Sequence, residues 1–588
     1  MGKILKKTAF ALILAILFIT QSSFDIYAAT DVKTVPAKLT TAKICVNGED
    51  WHYLNAYNIQ GYNYVRLRDA AEMLDGTASQ FNVIWRWDTS QNEIRTHRPY
   101  VYAETEKQNY KYSAKATPMT ASLLVDGKSY QFPCYNIDNS NYFRLIDLST
   151  VLNFYINWRA EDNSNYLETY ASGNSARVWR PDYKSGMNKM DKWASIGNYG
   201  AISNSYIFEN GDYIQALTVD SQYNSNTQKY DKKISVDAYD ISFKRISSKN
   251  VVFEGEAFGA FYSGKYYNYI VFGNANIEEN DNKEVIRVVK YDKDFNRIDA
   301  VSVKDCFTTS PFGFGSSDIA EYGDTLVLHT CRIRYLTSDG LRHQSQLTVI
   351  IDTQDMNVVN YDSLGKYQKN HVSHSFNQFV RFDGDTHVLI DHGDAYPRSV
   401  VLNKYVSRSG SYETLNLLDI PGKSGDNYTG VSLGGLEVTG SSYIAAVNSV
   451  NFTGNNKDTE RDLIILSVPK NNLKKDAVQV IKLADYAGKN KCASMPYLVK
   501  AGENEIIVLW QEFDNKIINS YGYKYEEMKS ASGVKWAKLD SEGNLKGEIH
   551  SVNNICLSKD CQPIYKNGKI IWYVDAPLAR LFFNINVK

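Results

Sequence analysis

The chain has 588 residues, of which 43% are hydrophobic and 22% are charged, and its formal net charge is −1. This length allows several domains, and the composition is typical of a folded globular protein rather than a disordered one. The balanced charge and the lack of an arginine-rich run exclude the basic surface that nucleic-acid binding requires, so nucleic acid is not expected as a partner.

The first 29 residues predict a signal peptide. Lysines precede an apolar stretch from Ala9 to Ile19, and small residues suited to cleavage follow at Ala28 and Ala29. This stretch is too short to span a bilayer, and no lipid-acceptor cysteine follows the leader. We therefore expect a secreted protein without a membrane span after removal of the leader.

A twofold repeat follows the leader. Residues 57–69 and 135–147 share the pattern Tyr-Asn-Ile…Asn-Tyr-(Val/Phe)-Arg-Leu-x-Asp, and each copy is preceded by a Val-(Asn/Asp)-Gly turn. Each copy predicts a hairpin, a short strand and a small helix with apolar residues at helical spacing. A further strand is predicted after each helix, at 81–87 and at 155–158.

This pair resembles the copper amine oxidase N-terminal-like domain, the "stalk" domain of many secreted proteins of Gram-positive bacteria. The resemblance covers about residues 40–172, with one module at 40–100 and a second at 117–172. It implies small α+β modules outside the cell, in the medium or associated with the cell wall, ahead of an unrelated effector domain. It carries over no catalytic residue and, despite the family name, it implies no copper.

Residues 173–195 are polar and interrupted, which predicts a linker. The chain has room for only two strands after Gly568, so a four-stranded unit there would need an outer strand from elsewhere. The segment from Arg177 to Tyr183 could supply that strand and close the last open edge.

From residue 196 to 588 the chain repeats one pattern seven times: an apolar stretch, a glycine turn and a second apolar stretch. A tight hairpin needs the positive φ that glycine allows, and a hairpin cannot close a core alone. We therefore predict a mainly β protein, a seven-bladed β-propeller preceded by the two α+β modules. The seven turn glycines are Gly211, Gly264, Gly323, Gly384, Gly440, Gly502 and Gly568.

A second pattern joins the third strand of a blade to the fourth. Residues 239–246 and 291–298 align, and 539–545 is a looser copy, each with an Asp/Asn/Gly turn. The copy at Asp292 imitates the start of a calcium loop. Its sixth position is Arg297 instead of glycine and its twelfth is Val303 instead of an acid, so the turn is the better interpretation.

No cofactor is predicted. Seven cysteines are too few and too irregular for a disulfide framework, although a bridge between Cys556 and Cys561 stays open. No paired Cys-x-x-Cys spacing suggests zinc. The triplet from Asn360 to Asp362 imitates the cofactor site of amine oxidases, but no His-x-His pair exists to hold copper, so amine oxidation is rejected.

The densest polar cluster lies in the fourth blade. If 377–382 is the inner strand and 386–390 the second, the loops on either side emerge on one face beside the channel mouth. Imidazole, carboxylate and guanidinium groups there could bind a metal, act as acid and base, or hold a sugar or anion. A hydrogen-bonded polar rim is the alternative. The candidates are His371, His374, Asp391, His392, Asp394 and Arg398.

The sixth and seventh blades offer aromatic rings beside carboxylates at the ends of their second strands. Such pairs suit sugar rings, although tryptophan at a strand end also serves blade packing. These candidates are Trp510, Glu512, Trp572 and Asp575.

Two functions follow from these patterns. The first is a non-enzymatic exported protein whose propeller engages a cell-envelope polysaccharide or an extracellular protein. The second is a carbohydrate-active or metal-dependent propeller enzyme that uses the fourth-blade face, and it requires at least three of those side chains to converge.

Overall fold

The computed structural model describes residues 33–588 except 47–49, 76, 78, 97, 99, 102–109, 153, 160–162, 170–174, 180–193, 195–196, 198–199, 225–227, 362–370, 407–410, 453–459, 515–530, 553–554 and 577–578. The predicted signal peptide lies outside the described residues. So do Asp362 of the amine-oxidase-like triplet and most of the predicted linker.

The two copies of the N-terminal repeat share one ten-stranded sheet. The first copy contains β1 (Val35–Val46), β2 (Asp50–Ile59), β3 (Tyr62–Arg66), α1 (Leu67–Met73), β4 (Phe81–Arg86) and β5 (Gln91–Thr96). The second contains β6 (Ser113–Val125), β7 (Lys128–Ile137), β8 (Ser140–Phe143), α2 (Leu145–Leu148), β9 (Phe154–Arg159) and β10 (Ser164–Thr169).

These copies exchange their last hairpins. β5 of the first copy pairs in parallel with β6 of the second, and β10 of the second pairs in parallel with β1 of the first. β1 also pairs with β6, and β3 with β8, so six strands close on themselves. One hydrophobic cluster draws residues from both copies. The repeat is therefore one interleaved unit, which we call the N-terminal unit.

The shared sequence pattern has a physical basis in this unit. Its Arg-Leu-x-Asp segment forms an ion pair on the helix, with Arg144 Nε 2.7 Å from Asp147 Oδ2 and Arg66 Nε 2.9 Å from Asp69 Oδ2. Its tyrosines pack across the internal twofold axis at ring distances of 5.2 and 5.0 Å, in the pairs Tyr57–Tyr142 and Tyr64–Tyr135.

Seven small antiparallel sheets form the predicted seven-bladed propeller, which confirms the fold class. Blade 1 contains β12 (Ser205–Asn210), β13 (Tyr213–Asn224), β14 (Lys229–Tyr239) and β15 (Arg245–Val251). Blade 2 contains β16 (Ala257–Ser263), β17 (Asn268–Gly273), β18 (Ile286–Tyr291) and β19 (Arg297–Val303). Blade 3 contains β20 (Ser310–Pro311), β21 (Ser317–Tyr322), β22 (Thr325–Ile333), β23 (Gln344–Asp352) and β24 (Asn357–Tyr361).

The remaining blades follow the same order. Blade 4 contains β25 (Ser375–Asp383), β26 (Thr386–Asp394), β27 (Arg398–Val406) and β28 (Tyr412–Asp419). Blade 5 contains β29 (Val431–Val438), β30 (Ser442–Val450), β31 (Arg461–Pro469), a short 3-10 helix (Lys475–Ala477) and β32 (Gln479–Ala484). Blade 6 contains β33 (Lys491–Ala493), β34 (Tyr497–Gly502), β35 (Glu505–Asp514), β36 (Ala531–Leu539) and β37 (Leu545–Val552).

Blade 7 joins the two ends of the propeller sequence. Three strands come from the C-terminus, and the outermost strand comes from the segment ahead of blade 1, antiparallel to the last strand. That segment therefore belongs to the propeller. The strands of blade 7 are β11 (Ser175–Trp179), β38 (Ile564–Lys566), β39 (Lys569–Ala576) and β40 (Ala579–Asn586).

Six of the seven glycines lie in the turn between the inner strand of a blade and the next strand, and Gly502 is the last residue of the inner strand β34. The positive φ angle that the sequence analysis predicted occurs at only four of them, with values between 57° and 80°. They are Gly211, Gly323, Gly384 and Gly568. At Gly440 a Cβ would lie 2.7 Å from Asn504 Oδ1 of the next blade, so a larger residue would displace the side chain that accepts a hydrogen bond from the Gly440 N–H. Some of these glycines are therefore required by blade packing rather than by the turn itself.

The predicted turns between third and fourth strands are confirmed. Asp292 Oδ1 accepts hydrogen bonds from the backbone N–H groups of Asp294 and Asn296, at 3.0 and 2.8 Å. Lys249 Nζ lies 2.9 Å from Asn296 Oδ1, so an ammonium group already occupies the side of this turn. The equivalent Asp240 and Asp540 accept the same pair of backbone bonds.

The core of the propeller lies between adjacent blades. Each of its large hydrophobic clusters combines residues of neighbouring blades, as stacking of like units requires. All seven cysteines are buried. Cys561 is a free thiol whose pKa burial raises to about 12, so the bridge to Cys556 that the sequence left open is not formed.

Candidate functional site

The structure corrects the predicted position of the fourth-blade cluster. Strand β26 continues to Asp394 instead of ending at residue 390, and β25 begins at Ser375 instead of residue 377. Asp391, His392 and Asp394 are therefore strand residues with no solvent exposure, not members of an exposed loop. The run of polar residues predicted an exposed loop. Residues on neighbouring elements instead supply hydrogen bonds that allow these polar side chains to be buried.

Asp391 is held between blades 3 and 4. Its Oδ1 accepts a hydrogen bond of 2.7 Å from Ser375 Oγ, and its Oδ2 lies 3.2 Å from His329 Nε2. His329 belongs to β22 of blade 3, is fully buried and lies 2.9 Å from Thr348 Oγ1 through its other nitrogen. Sequence reasoning missed His329, since an isolated histidine in an apolar strand carries no recognisable signal. This network joins two blades.

His374 and Asp394 form the pair of predicted residues that the structure brings together. The two side chains are 3.0 Å apart, and the hydrogen bond to Asp394 raises the pKa of His374. His371 lies nearby and is partly exposed, and burial together with Arg334 and Arg332 lowers its pKa to about 4. His371 is consequently neutral at physiological pH.

His392 and Arg398 serve the loop between blades 4 and 5. His392 Nε2 lies 2.9 Å from Thr429 Oγ1, and burial lowers the pKa of His392 to about 3. Arg398 donates to backbone oxygens along that loop, including those of Pro421, Asp426 and Tyr428, at 2.6 to 3.3 Å. A guanidinium engaged in this way organises the loop and does not point to a ligand.

The aromatic candidates of blades 6 and 7 are packing residues. Trp510 and Trp572 are fully buried, and their Nε1 atoms donate to Tyr486 Oη at 2.9 Å and to the Cys556 carbonyl at 2.8 Å. Glu512 is also buried and accepts a 3.0 Å hydrogen bond from Tyr486. Neither ring offers a face to a sugar.

Asp575 belongs to a buried ionic cluster between blades 7 and 1. Arg580, which has no solvent exposure, lies 2.8 Å from Asp575 Oδ1 and 3.2 Å from Asp237 Oδ2. Its guanidinium also donates to Thr218 Oγ1 at 2.6 Å and lies 4.3 Å from the ring centroid of Tyr573. The cluster fastens the last blade to the first, so Asp575 is structural.

These ten candidates do not form one site. The His, Cys, Asp and Glu residues that the structure describes include no group of three that could hold a metal ion. Among the fourth-blade candidates, His374 and Asp394 are within hydrogen-bond distance of each other, and the described residues add no third ligand that would make a metal site.

A different cavity lies at the turn ends of the inner strands. Its volume is about 410 Å³, and residues of blades 1, 2, 4, 5, 6 and 7 line it. The cavity and the His374–Asp394 pair lie at opposite ends of blade 4. The turn that joins Asp383 to Thr386 is at the cavity end, and Ser375 pairs with Gly393 at the other end, next to His374. We call this space the turn-side cavity. Its polar lining includes Glu209, Arg381, Glu437, Lys500 and Gln562.

Charges of both signs surround the turn-side cavity. Arg381 bridges two neighbouring inner strands, with Asp318 Oδ2 at 2.7 Å and Glu437 Oε1 at 3.2 Å. Burial raises the pKa of Glu437 although Arg381 is adjacent. Lys500 is exposed and donates to the Val438 carbonyl at 2.6 Å. The lining is suited to a polar ligand without a strong net charge.

No family model matches the chain, and no curated protein matches it. Within the described part of the chain, no helix combines the length and apolarity needed to cross a bilayer.

Three solved structures illustrate the similarity. A polysaccharide lyase of family PL25, an ulvan lyase, is 9% identical over 69% of this chain and 96% of its own, with a TM-score of 0.40. An acylaminoacyl peptidase from Pyrococcus horikoshii is 10% identical over 70% of this chain and 54% of its own, with a TM-score of 0.37. The N-terminal domain of Nup159 is 8% identical over 70% and 96%, with a TM-score of 0.33. Similarities this low support no statement about the function of this chain.

Proposed function

We propose that this chain is an exported, non-catalytic binding protein whose propeller engages a cell-envelope polysaccharide at the turn-side cavity. The tandem repeat, which resembles stalk domains, would hold or space the propeller outside the cell. The observation that carries the proposal is the turn-side cavity itself, about 410 Å³ in volume and lined by six blades. Ligand sites of proteins are typically concave and roughly 300–1,000 Å³ in volume.

The chemistry of the lining supports binding rather than reaction. Arg381 and Glu437 are already paired with each other, while Lys500 and Gln562 donate to backbone carbonyls. Hydroxyl-rich ligands can exchange hydrogen bonds with such groups without a change in net charge. The enzyme alternative required at least three fourth-blade side chains to converge. Asp391, His392 and Arg398 engage a neighbouring blade or loop instead, which leaves His374 and Asp394 as a pair.

Cosedimentation with purified cell-wall polysaccharide tests the proposal. The protein would be the whole chain without its leader, and Lys500→Ala should reduce binding by about five- to tenfold, since an exposed cation at the cavity is removed. Lys546→Ala is the matched control, because Lys546 is an exposed lysine on the outer strand β37. Equal binding by the wild type and both variants would place the partner elsewhere, and absence of binding would refute the proposed polysaccharide.

A further inference from the structure

A groove of about 570 Å³ lies in the N-terminal unit, away from the propeller strands, and both copies of the repeat build it. The first copy contributes β1 and the turn between β2 and β3, while the second contributes the start of α2 and the β9–β10 hairpin. The groove therefore exists because the copies exchange their hairpins. We call it the Trp158 groove.

Two aromatic rings lie half-exposed in this groove. The side chain of Trp158 is 54% exposed and that of Tyr62 is 59% exposed. Each ring is held in place, since Trp158 Nε1 donates to Asn163 Oδ1 at 3.3 Å and the Arg144 guanidinium lies 5.5 Å from the Tyr62 centroid. What sets these two rings apart from other exposed rings is that both line one groove, where a flat apolar ring face is suited to the C–H face of a sugar.

Side-chain amides surround the two rings. Asn58 Nδ2 donates to Asn63 Oδ1 at 3.0 Å, and Asn165 lies opposite Trp158 in the β9–β10 register. An amide has two donors and an acceptor with two lone pairs, which matches a hydroxyl that both donates and accepts. Amides beside an aromatic platform are consequently suited to a polyhydroxylated ring.

Of the two cations that line the groove, Arg144 is neutralised by Asp147, and Lys43 is the remaining charge. Arg144 is engaged by both oxygens of Asp147, at 2.7 and 2.8 Å, and Lys43 Nζ lies over the Trp51 ring at 4.2 Å from its centroid. No Asp or Glu is found among the described residues that line the groove. Glycoside hydrolysis uses a pair of carboxyl groups, so the groove has the composition of a binding site and not of a hydrolase.

We propose that the Trp158 groove binds a neutral oligosaccharide, with pyranose rings packed on Trp158 and Tyr62 and hydroxyls bonded to Asn58, Asn63 and Asn165. This site is separate from the turn-side cavity and does not depend on the function proposed for the propeller.

The internal twofold repeat supplies a matched control. Trp85 lies opposite Asn92 in the first copy as Trp158 lies opposite Asn165 in the second, and both asparagines occupy equivalent places beside β6 and β1. The remaining groove positions differ between the two copies. Serines occupy the equivalents of Tyr62, Lys43 and Asn163, namely Ser140, Ser122 and Ser90. Only the Trp158 half thus carries the second ring and the full set of amides.

Isothermal titration of the whole chain without its leader tests the inference, with cellohexaose, xylohexaose, chitohexaose and hexagalacturonate as probes. At least one neutral hexaose should bind, and Trp158→Ala and Tyr62→Ala should each weaken that binding by about tenfold or more. Trp85→Ala and the propeller variant Lys500→Ala should leave it unchanged. Circular dichroism would establish that each variant is folded.

Three outcomes would overturn the inference. They are binding of hexagalacturonate alone, no binding of any neutral hexaose at millimolar concentration, and equal weakening by Trp158→Ala and Trp85→Ala. Loss of hexaose binding in Lys500→Ala would also contradict it, because the sugar would then occupy the propeller. Failure of the polysaccharide test with hexaose binding intact would refute the propeller proposal only.

Discussion

The propeller and the N-terminal unit both assemble from repeated β-hairpins, yet their candidate functional side chains differ in exposure. In the propeller the residues that look functional, such as Asp391, Asp575 and Trp572, are buried and bonded to neighbouring blades. In the N-terminal unit, Trp158 and Tyr62 remain half-exposed. The comparison indicates that dense polar sequence in this propeller marks contacts within and between blades, whereas half-exposed rings that line one groove are better evidence of a ligand.

The strongest test of this contrast is removal of the buried cation between blades 7 and 1. Arg580→Met leaves Asp575 and Asp237 without their shared partner, so the free energy of unfolding should fall by about 3–5 kcal/mol in urea denaturation. Arg245→Met is the matched control, because Arg245 lies 4.0 Å from the same Asp237 but is 28% exposed. It should cost about 1 kcal/mol or less. Equal losses would contradict a structural role specific to the buried cluster.

A smaller effect is expected when the outermost strand of blade 7 is deleted. A fragment of residues 196–588 lacks Ser175–Trp179 and leaves β40 as an open edge, whereas a fragment of 173–588 retains the pairing. The free energy of unfolding of the shorter fragment should be lower by about 2–3 kcal/mol. The loss is this small because the exposed N–H and C=O groups of β40 can bind water instead. The open edge should also cause self-association. Differential scanning calorimetry and light scattering measure both effects. Identical behaviour of the fragments would show that the strand is dispensable.

Acid should destabilise the propeller through its buried histidines. Burial lowers the pKa of His392 to about 3 and that of His371 to about 4, whereas unfolded imidazole titrates near about 6.5. Below about pH 6.5 these histidines are protonated in the unfolded chain but remain neutral in the folded chain. The free energy of unfolding therefore falls as the pH decreases from 7 toward 4. His374 acts oppositely, because its raised pKa contributes stability that is lost as pH rises through that pKa.

The thermal midpoint should therefore fall by several degrees between pH 7 and pH 5. In His392→Gln, which removes one such group, the fall should be smaller even if the midpoint at pH 7 is lower. If the thermal midpoint falls by the same amount between pH 7 and pH 5 in the wild type and in His392→Gln, then His392 does not contribute to the acid sensitivity.

The smallest effect is expected on the surface of the N-terminal unit. Trp87 is 87% exposed and touches Trp85 edge to face at 6.2 Å. Trp87→Ala should change the free energy of unfolding by about 0.5 kcal/mol or less, measured by urea denaturation. A loss above about 1 kcal/mol would show that this ring packs against the fold and would weaken the contrast between the two regions.

Much of the propeller was predictable because its signals are local. A hairpin turn depends on a few adjacent residues, so the seven glycines located the first turn of each blade. The aspartates at Asp240, Asp292 and Asp540 located three turns between third and fourth strands for the same reason.

The candidate site was less predictable because its chemistry depends on distant partners. Asp391 is buried in β26 only because His329 of the preceding blade and Ser375 of the inner strand meet it, and no local pattern records that contact. The Trp158 groove was missed for a related reason. Each copy was interpreted as a separate module, whereas Tyr62 and Trp158 come from different copies and meet through the exchanged hairpin.

The origin of the outermost strand of blade 7 fixes the order in which the ring can close during synthesis. Ser175–Trp179 leaves the ribosome about 400 residues before its partner Ala579–Asn586, an interval of about 20–80 s at ordinary elongation rates. No copy of the protein can complete its ring until Ala579–Asn586 has been synthesised. Chains that lack Ala579–Asn586 are left with an open strand edge, which any protease or chaperone that binds such edges can distinguish from a closed ring.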